Sequence, residues 1–320
     1  MRVVFVTLLW RNESFVVPFA RTLAATAAKA GMVVELVAVE NGPDGAEAAR
    51  ILATELEQYD SISLKAVTEA TNRGFAGGMN IACSAATGDV IVVANLDMEF
   101  DEDFVAALAT HSEDLVGLCL LAPSVTSPSS RSGTIEAGAM RRDRLHRPAT
   151  TLQAAGAGDK VGAGNGACIV FGRDLMTARY RAVGGLFDEE YHSYYEDVDI
   201  FWWAARNAIP VVFRPDVRVF HHQGGSFDGK YRFEDRTSDV RRSVMANYRL
   251  TVWKNAMKPV DVAGWLVGEG GYLVKCVRMG AASGVRTYVS SWVVSARRGM
   301  AIRSRRGSLR PSRVALTAGD

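Results

Sequence analysis

The stretch DVIVVANLD, Asp89 to Asp97, decides how the chain is read. Val90 to Ala94 is an unbroken β-branched and apolar run without polar alternation, which describes a strand buried on both faces of a sheet covered by helices. Polar residues follow at once. Asn95 and Asp97 stand where the strand stops, so a carboxylate is presented at the sheet's carboxyl edge, the side on which open α/β sheets bind ligands.

Working outward, the same grammar repeats. Val3 to Leu9 is a short apolar run, and Ser14 to Lys29 has helical apolar spacing that ends near Gly31, a residue suited to a left-handed cap. Val33 to Val39 reads as a strand, ENGPDG as a loop and Ala46 to Tyr59 as a helix. Ser61 to Val67 is a third strand, and NRGFAGG opens a helix running through Ala86. This alternation predicts an α/β fold, with a mostly parallel sheet and helices on both faces. The strand ends gather Trp10 to Asn12, Glu40 to Asp44, Asn72 to Gly78 and Asn95 to Asp97.

Residues 124–166, rich in Ser, Gly and Ala, read as a β-poor or hairpin-containing excursion across the site. GACIVFG is a further strand, and PVVFRPDVRVFHH is a strand ending in two histidines. Between them lies HSYYEDVDIFWWAARN, residues 192–207. A helix starting near Glu196 places Val198, Phe201, Trp202 and Ala205 on one apolar face. Glu196 and Asp197 fall in its first turn, where the helix dipole stabilises anions. Capping explains the charge but not the aromatic approach HSYY, whereas a carboxylate beside aromatic walls suits a general base. Asp199 reads as a structural ion pair with Arg206.

Asp97, followed by Glu99, Asp101 and Glu102, could hold a divalent cation bridging phosphates, with Asp101 as the alternative cap of a helix starting there. His221 and His222, ahead of a glycine pair, point to a site rather than to a lone structural histidine. NRGFAGG lacks the GxGxxG spacing of a dinucleotide fingerprint.

The chain of 320 residues, 48% hydrophobic, suits one large domain, or a domain with an appendage. Cys83, Cys119, Cys168 and Cys276 are scattered, so neither a zinc site nor a disulfide framework is indicated and a reducing cytoplasm is expected. MRVVFVTLLW reads as a first strand rather than a signal peptide. From Lys275 onward come Arg278, Arg286, Arg297, Arg298, Arg303, Arg305, Arg306, Arg310 and Arg313, with Asp320 as the one acid. This C-terminal helical, basic appendage mixes tryptophan and tyrosine with arginine as interfacial helices do, which suits an anionic membrane surface. The equal alternative is a packed helical subdomain or a dimer interface. The expected division is residues 1–235, 236–305 and a disordered basic end, 306–320. No nucleic-acid recognition motif is present.

In this order the motifs resemble family 2 glycosyltransferases of the GT-A fold, close to the rhamnosyltransferase-like branch that builds cell-wall and surface polysaccharides. The resemblance runs from about Val3 to Ser226. It implies that Glu40 and Asn41, where Asp-Asn is usual, meet the nucleotide base. It also implies a nucleotide loop of Asn72, Gly74, Phe75, Ala76, Gly77, Gly78 and Asn80, with further donor contacts from Thr7, Asn12 and Asn95. NLD matches a divergent DXD motif, making Asp97 the implied ligand of Mn²⁺ or Mg²⁺, and HHQGGS matches a histidine motif in which His221 completes the metal or diphosphate shell. Asp197 matches the catalytic base and Glu196 its neighbour. Trp203 and Ala208 depart from the arginine and glycine common in the family. Tyr191, Tyr194, Tyr195 and Trp202 are candidate sugar-stacking faces for the acceptor, core packing being the equal alternative for Trp202. The implied reaction inverts the anomeric centre, moving a sugar, rhamnose first, from a dTDP- or UDP-linked donor to a glycan or lipid-linked acceptor. A noncatalytic nucleotide-sugar-binding or scaffold protein is the alternative, and a metal-dependent hydrolase would need a clustered metal motif that the sequence lacks.

Overall fold

The computed structural model describes residues 1–126, 139–142, 148–151, 164–222, 233–255 and 259–308. Its first half alternates β1 (Val3–Leu9), α1 (Glu13–Lys29), β2 (Val34–Asn41), α2 (Ala46–Leu56), β3 (Ile62–Glu69), α3 (Gly74–Ala85) and β4 (Val90–Ala94). Gly31 takes φ 63° just past α1, the left-handed position expected of it. The strands pair in parallel in the order β3-β2-β1-β4. Successive side chains enter opposite cores. Val3, Phe5, Leu36 and Val92 pack with Phe19, Leu23 and Leu52 on one side, while Val4, Val6, Val37 and Ile91 pack with Ala76 and Met79 on the other. The all-apolar run of β4 follows from this burial on two faces.

After β4 come β5 (Met98–Phe100), α4 (Phe104–Thr110), β6 (Leu120–Thr126), a hairpin of β7 (Ala139–Arg142) and β8 (Pro148–Thr151), β9 (Cys168–Gly172), α5 (Arg173–Val183), α6 (Glu196–Arg206) and β10 (Val211–His221). The eight-stranded sheet is β3-β2-β1-β4-β9-β6-β10-β5. The expected α/β architecture is present, and its sheet is mixed beyond β4. β9 runs antiparallel to β4 and β6, and β5 antiparallel to β10. The Met98–His221 pairing brings the end of the NLD turn beside the histidines. The hairpin expected within residues 124–166 is β7–β8; residues 127–138, 143–147 and 152–163 of that excursion, Gln223 to Ser226 and the basic end beyond Ser308 lie outside the described residues.

Three helices follow the sheet: α7 (Ser238–Asn255), α8 (Pro259–Arg278) and α9 (Ala281–Ser308). Buried Arg249 of α7 joins them, bidentate to Glu269 of α8 at 2.9 and 2.7 Å, donating to Ser291 of α9 at 2.6 Å and lying 4.1 Å over Trp292. No helix among the described residues is long and apolar enough to cross a membrane.

Candidate active site

The loops at the carboxyl ends of β2 and β3 are bound to each other. The Asn41 amide donates to the Gly74 carbonyl at 3.1 Å and to Asn72 Oδ1 at 3.3 Å, and its Oδ1 accepts from the Arg73 amide at 2.8 Å. Asn72 Oδ1 in turn accepts from the Gly74 amide at 2.7 Å. Asn41 and Asn72 therefore hold the two strand-end loops together. Glu40 accepts from Thr68 at 3.3 Å. The glycines serve close packing: a Cβ on Gly78 would lie 2.8 Å from Leu8, and one on Gly77 3.0 Å from the Arg73 side chain. Gly74 combines φ 71° with a Cβ position 2.4 Å from His192 Nδ1. Asn80 is buried and its amide engages both sides of Phe187, donating to the carbonyl and accepting from the N–H at 2.9 Å each. That fixes the segment leading to Tyr191.

At the end of β4 the Asn95 N–H donates to the Ala167 carbonyl at 2.9 Å. Asp97, 5% exposed, lies with Oδ2 3.4 Å from His221 Nε2 and accepts the His222 N–H on its carbonyl at 3.0 Å. His222 pairs instead with Glu99 at 2.5 Å. The acids after Asp97 have other partners. Asp101 pairs with Arg218 and accepts from the Asp103 amide, while Glu102 pairs with Lys29. The helix expected near Asp101 begins at Phe104.

Several buried polar atoms at the carboxyl ends of β1, β4 and β10 and at the start of α6 have no protein partner. Thr7 Oγ1, Trp10 Nε1, Asn95 Oδ1, His221 Nδ1 and Glu196 Oε2 are all of this kind. Each unsatisfied group is destabilising by about 1–3 kcal/mol, a cost that a polar ligand could offset. One carboxylate and one imidazole facing each other are oxygen and nitrogen donors that suit Mn²⁺ or a similar ion. Among the described residues no group of three or more acidic, histidine or cysteine side chains forms a complete cation cage.

On the facing side, α6 opens with Glu196 and Asp197 in its first turn, as expected. Glu196 is buried; burial and the neighbouring Asp197 charge raise its pKa well above the carboxylate range. Asp197 is partly exposed, and protein around its carboxylate raises its pKa too, opposed by the Val198 N–H at 2.8 Å. Gly166 presses against this side chain: a Cβ there would lie 2.2 Å from Asp197 Oδ2. Asp199 has the structural role assigned to it, with different partners. It meets Arg179 at 2.5 Å, Lys254 at 2.7 Å and Asn255 at 2.9 Å, while Arg206 donates to the Lys254 carbonyl. Burial alone would raise the Asp199 pKa, but Lys254 and Arg179 hold it far below the usual carboxylate range.

The four aromatic residues divide. Tyr191 is fully buried, accepting from Thr251 at 3.0 Å and donating to Asp199 at 3.3 Å. Trp202 is 4% exposed, on the core side of its two readings, and Ala205 is exposed. Tyr195 joins an aromatic group with Tyr248 and Tyr272, its hydroxyl 3.1 Å from that of Tyr272. Tyr194 is partly exposed, with Arg236 4.9 Å over its ring and burial pushing its hydroxyl up to about 12.

The sequence profile described as Glycosyl transferase family 2 matches residues 12–176, just over half of the chain. The chain belongs to glycosyltransferase family 2. No curated protein sequence is a significant match. Among solved structures, residues 1–349 of S. aureus TarS superpose with TM-score 0.52 at 13% identity, covering 97% of this chain and 83% of that one. Mannosyltransferase PcManGT of Pyrobaculum calidifontis, solved with GDP-Man and Mn²⁺, gives 0.54 at 15% identity over 96% and 80%. GalNAc-T7, solved with UDP, GalNAc and Mn²⁺, gives 0.53 at 15% identity over 79% and 47%. At these identities the likeness is one of fold, and the fold of this glycosyltransferase is GT-A with a mostly helical region after the sheet. Sequence reasoning about this glycosyltransferase missed Gly166, Lys254, Asp188 and Asn247. A glycine entering a strand is a recognised sign of close approach and could have flagged Gly166; nothing local marks the other three.

Proposed function

We propose that this family 2 glycosyltransferase transfers a sugar, with inversion, from a nucleotide diphosphate to an acceptor hydroxyl. One observation carries the reading. Gly166 and Ala167 join two half-sites, the first touching Asp197 and the second accepting from Asn95 at the start of the Asp97 turn. A donor-diphosphate site at Asp97 and His221 and a proton acceptor at Asp197 therefore flank one short strand entry, the separation of roles that an in-line displacement needs.

Asp97 and His221 would hold the diphosphate end of the donor through a divalent cation, since a carboxylate alone repels that anion, with Thr7, Asn12, Trp10 and Asn95 supplying polar atoms around it. A bound divalent cation would contribute positive charge against the departing diphosphate. Asp197 takes the acceptor proton, and its raised pKa makes it a stronger base than an exposed aspartate. Glu196 keeps its own proton more tightly beside it, so the two titrate as a pair. Tyr194 is the aromatic surface offered to the acceptor. TarS was solved with UDP, GalNAc-T7 with UDP and PcManGT with GDP-Man, so the neighbours support a nucleotide-diphosphate donor of either base type, and the motif resemblance supports dTDP- or UDP-linked rhamnose as the first donor to test.

A lipid-linked glycan at the cytoplasmic face of a membrane is the acceptor we favour. α8 exposes Val262, Leu266, Val274 and Val277, and α9 exposes Val285, Val289, Val293 and Met300. Exposed cations, Lys275, Arg278, Arg286, Arg297 and Arg303, accompany them, whereas Asp261 and Glu269, the acids of residues 259–308, are buried. Self-association of such a face would oppose like charges, and an anionic bilayer would not.

Calorimetric titration with dTDP, UDP and GDP, with and without Mn²⁺ or Mg²⁺, tests the donor site on wild type and Asp97→Ala. Cation-dependent binding of one nucleotide, lost in the variant, is expected. Transfer should then vanish in Asp197→Asn with binding retained. A folded protein that binds none of them would give the lead to a noncatalytic scaffold.

A further inference from the structure

We infer that Asn247, on α7 and fifty residues beyond the carboxylates, is the positioning residue that aims Asp197. The inference rests on the reading of Asp197 as the base. The segment entering α6 is strained: His192 has φ 57°, Tyr194 φ 73° and Tyr195 φ 71°. Left-handed backbone is disfavoured for bulky side chains, and it persists only where surrounding structure over-determines it. Three such residues just before Glu196 and Asp197 need a clamp, and the fold supplies one.

The fully buried Asn247 amide lies 2.8 Å from each of three carbonyl oxygens, those of Tyr191, Ser193 and Tyr194. Its two N–H groups are shared among the three acceptors. Its own oxygen accepts from Arg298 of α9, which fixes which end of the amide faces the segment. From the opposite side the start of α3 holds the same residues. The Ala76 N–H donates to the His192 carbonyl at 3.0 Å and the Phe75 N–H to Ser193 Oγ at 3.2 Å. Glycine at position 74 lets this backbone come within reach of His192. The strained turn is thus gripped between α3 and α7, and it hands directly into α6, whose Asp199 N–H donates to the Tyr195 carbonyl at 2.9 Å. Relaxing the turn would swing the first residues of α6, and Gly166 packed on Asp197 leaves no slack to absorb that swing. The C-terminal helices therefore act in the chemistry without touching substrate, through Arg298, Asn247 and three carbonyls.

The test is Asn247→Asp, which keeps the shape, still accepts from Arg298 and, ionised beside that cation, can donate nothing to the carbonyls. The expected result is nucleotide diphosphate affinity within about twofold of wild type, because the Asp97 half-site is untouched, with kcat down ~100-fold as the base is misplaced. The acid limb of the kcat profile should move, and hydrogen exchange should rise in peptides covering residues 190–199 while β1 and β4 stay protected. Arg298→Met should show a smaller loss of the same kind, and Arg298→Lys should restore most of it. Wild-type kcat and exchange in Asn247→Asp would overturn the inference. So would exchange raised evenly through β1 and β4, which would make Asn247 a support of the whole fold. If wild type itself neither bound nucleotide nor transferred sugar, the proposed function would fall, and local exchange would still decide whether Asn247 holds the segment.

Discussion

Gly166→Ala is the sharpest probe of the base. The added methyl would lie 2.2 Å from Asp197 Oδ2 and 2.6 Å from its Cβ and Cγ, where ordinary contact begins at 3.4 Å. Something must therefore move by about 1 Å, and the backbone at residue 166 is poorly placed to do it. Asn165 Oδ1 accepts from the Ala167 N–H at 2.9 Å, the Asn165 carbonyl accepts from Cys168, and the Ala167 carbonyl is tied to Asn95. The carboxylate is the softer partner, although moving it strains the 2.8 Å bond from the Val198 N–H. Overpacking of this kind destabilises a fold by roughly 1–3 kcal/mol, visible in urea unfolding. A catalytic group misplaced by ~1 Å loses roughly 100-fold in rate, about 2.7 kcal/mol of barrier. Steady-state transfer kinetics beside calorimetric nucleotide binding would separate the effects: kcat should fall while donor affinity holds. A folded Gly166→Ala protein turning over within about threefold of wild type would refute the reasoning, because it would mean that Asp197 can move an ångström without consequence.

Three further outcomes can be checked. Asp197→Asn should be more stable than wild type near neutrality and equal to it in acid; the folded pKa is raised, so below the ordinary ~3.9 both states keep the proton, and above it the unfolded chain releases it first. A variant that gained as much at pH 3 as at pH 8 would contradict the buried-charge account. Lys254→Met removes a cation held at 2.8 Å by Asp188 and 2.7 Å by Asp199, and denaturant unfolding should show a loss of roughly 3–5 kcal/mol as buried carboxylates lose a partner; a loss under about 1 kcal/mol would show the network to be dispensable. Val289→Glu combined with Arg286→Glu should abolish co-sedimentation with phosphatidylserine vesicles and leave nucleotide binding intact, since both residues are exposed on α9; unchanged co-sedimentation would remove the membrane reading.

The first half of the fold was legible because each element is self-sufficient. Val3–Leu9 and Val90–Ala94 announce themselves through two-sided burial, which leaves Thr7 as the one polar side chain in the two runs. Met98–Phe100, three residues long, is a strand only because β10 lies beside it, so nothing local could reveal it. Asp97 and His221 were found separately from their places at strand ends, and the antiparallel β5–β10 pairing is what brings them together. The partners of Asp199 were missed for a similar reason: Arg206 is a neighbour along the helix, whereas Lys254 arrives from a helix 55 residues on, by packing that no spacing rule encodes.

Three carboxylates within four positions of one helix would be costly if they shared one environment, and the fold gives them two. Asp199 points to the side where α5 and α7 bring Arg179 and Lys254, and those charges hold its pKa below the usual carboxylate range. Glu196 and Asp197 point to the side where burial is not offset by a cation, and their proton affinity rises instead. Environments that push neighbouring acids in opposite directions separate a supporting charge from a proton carrier. Had Lys254 reached Asp197 instead, the helix would be better neutralised and the base weaker, because an ion pair at that position would lower its affinity for the acceptor proton. The same helix, α7, thus supplies the cation that the supporting aspartate needs and withholds one from the pair that has to take up a proton.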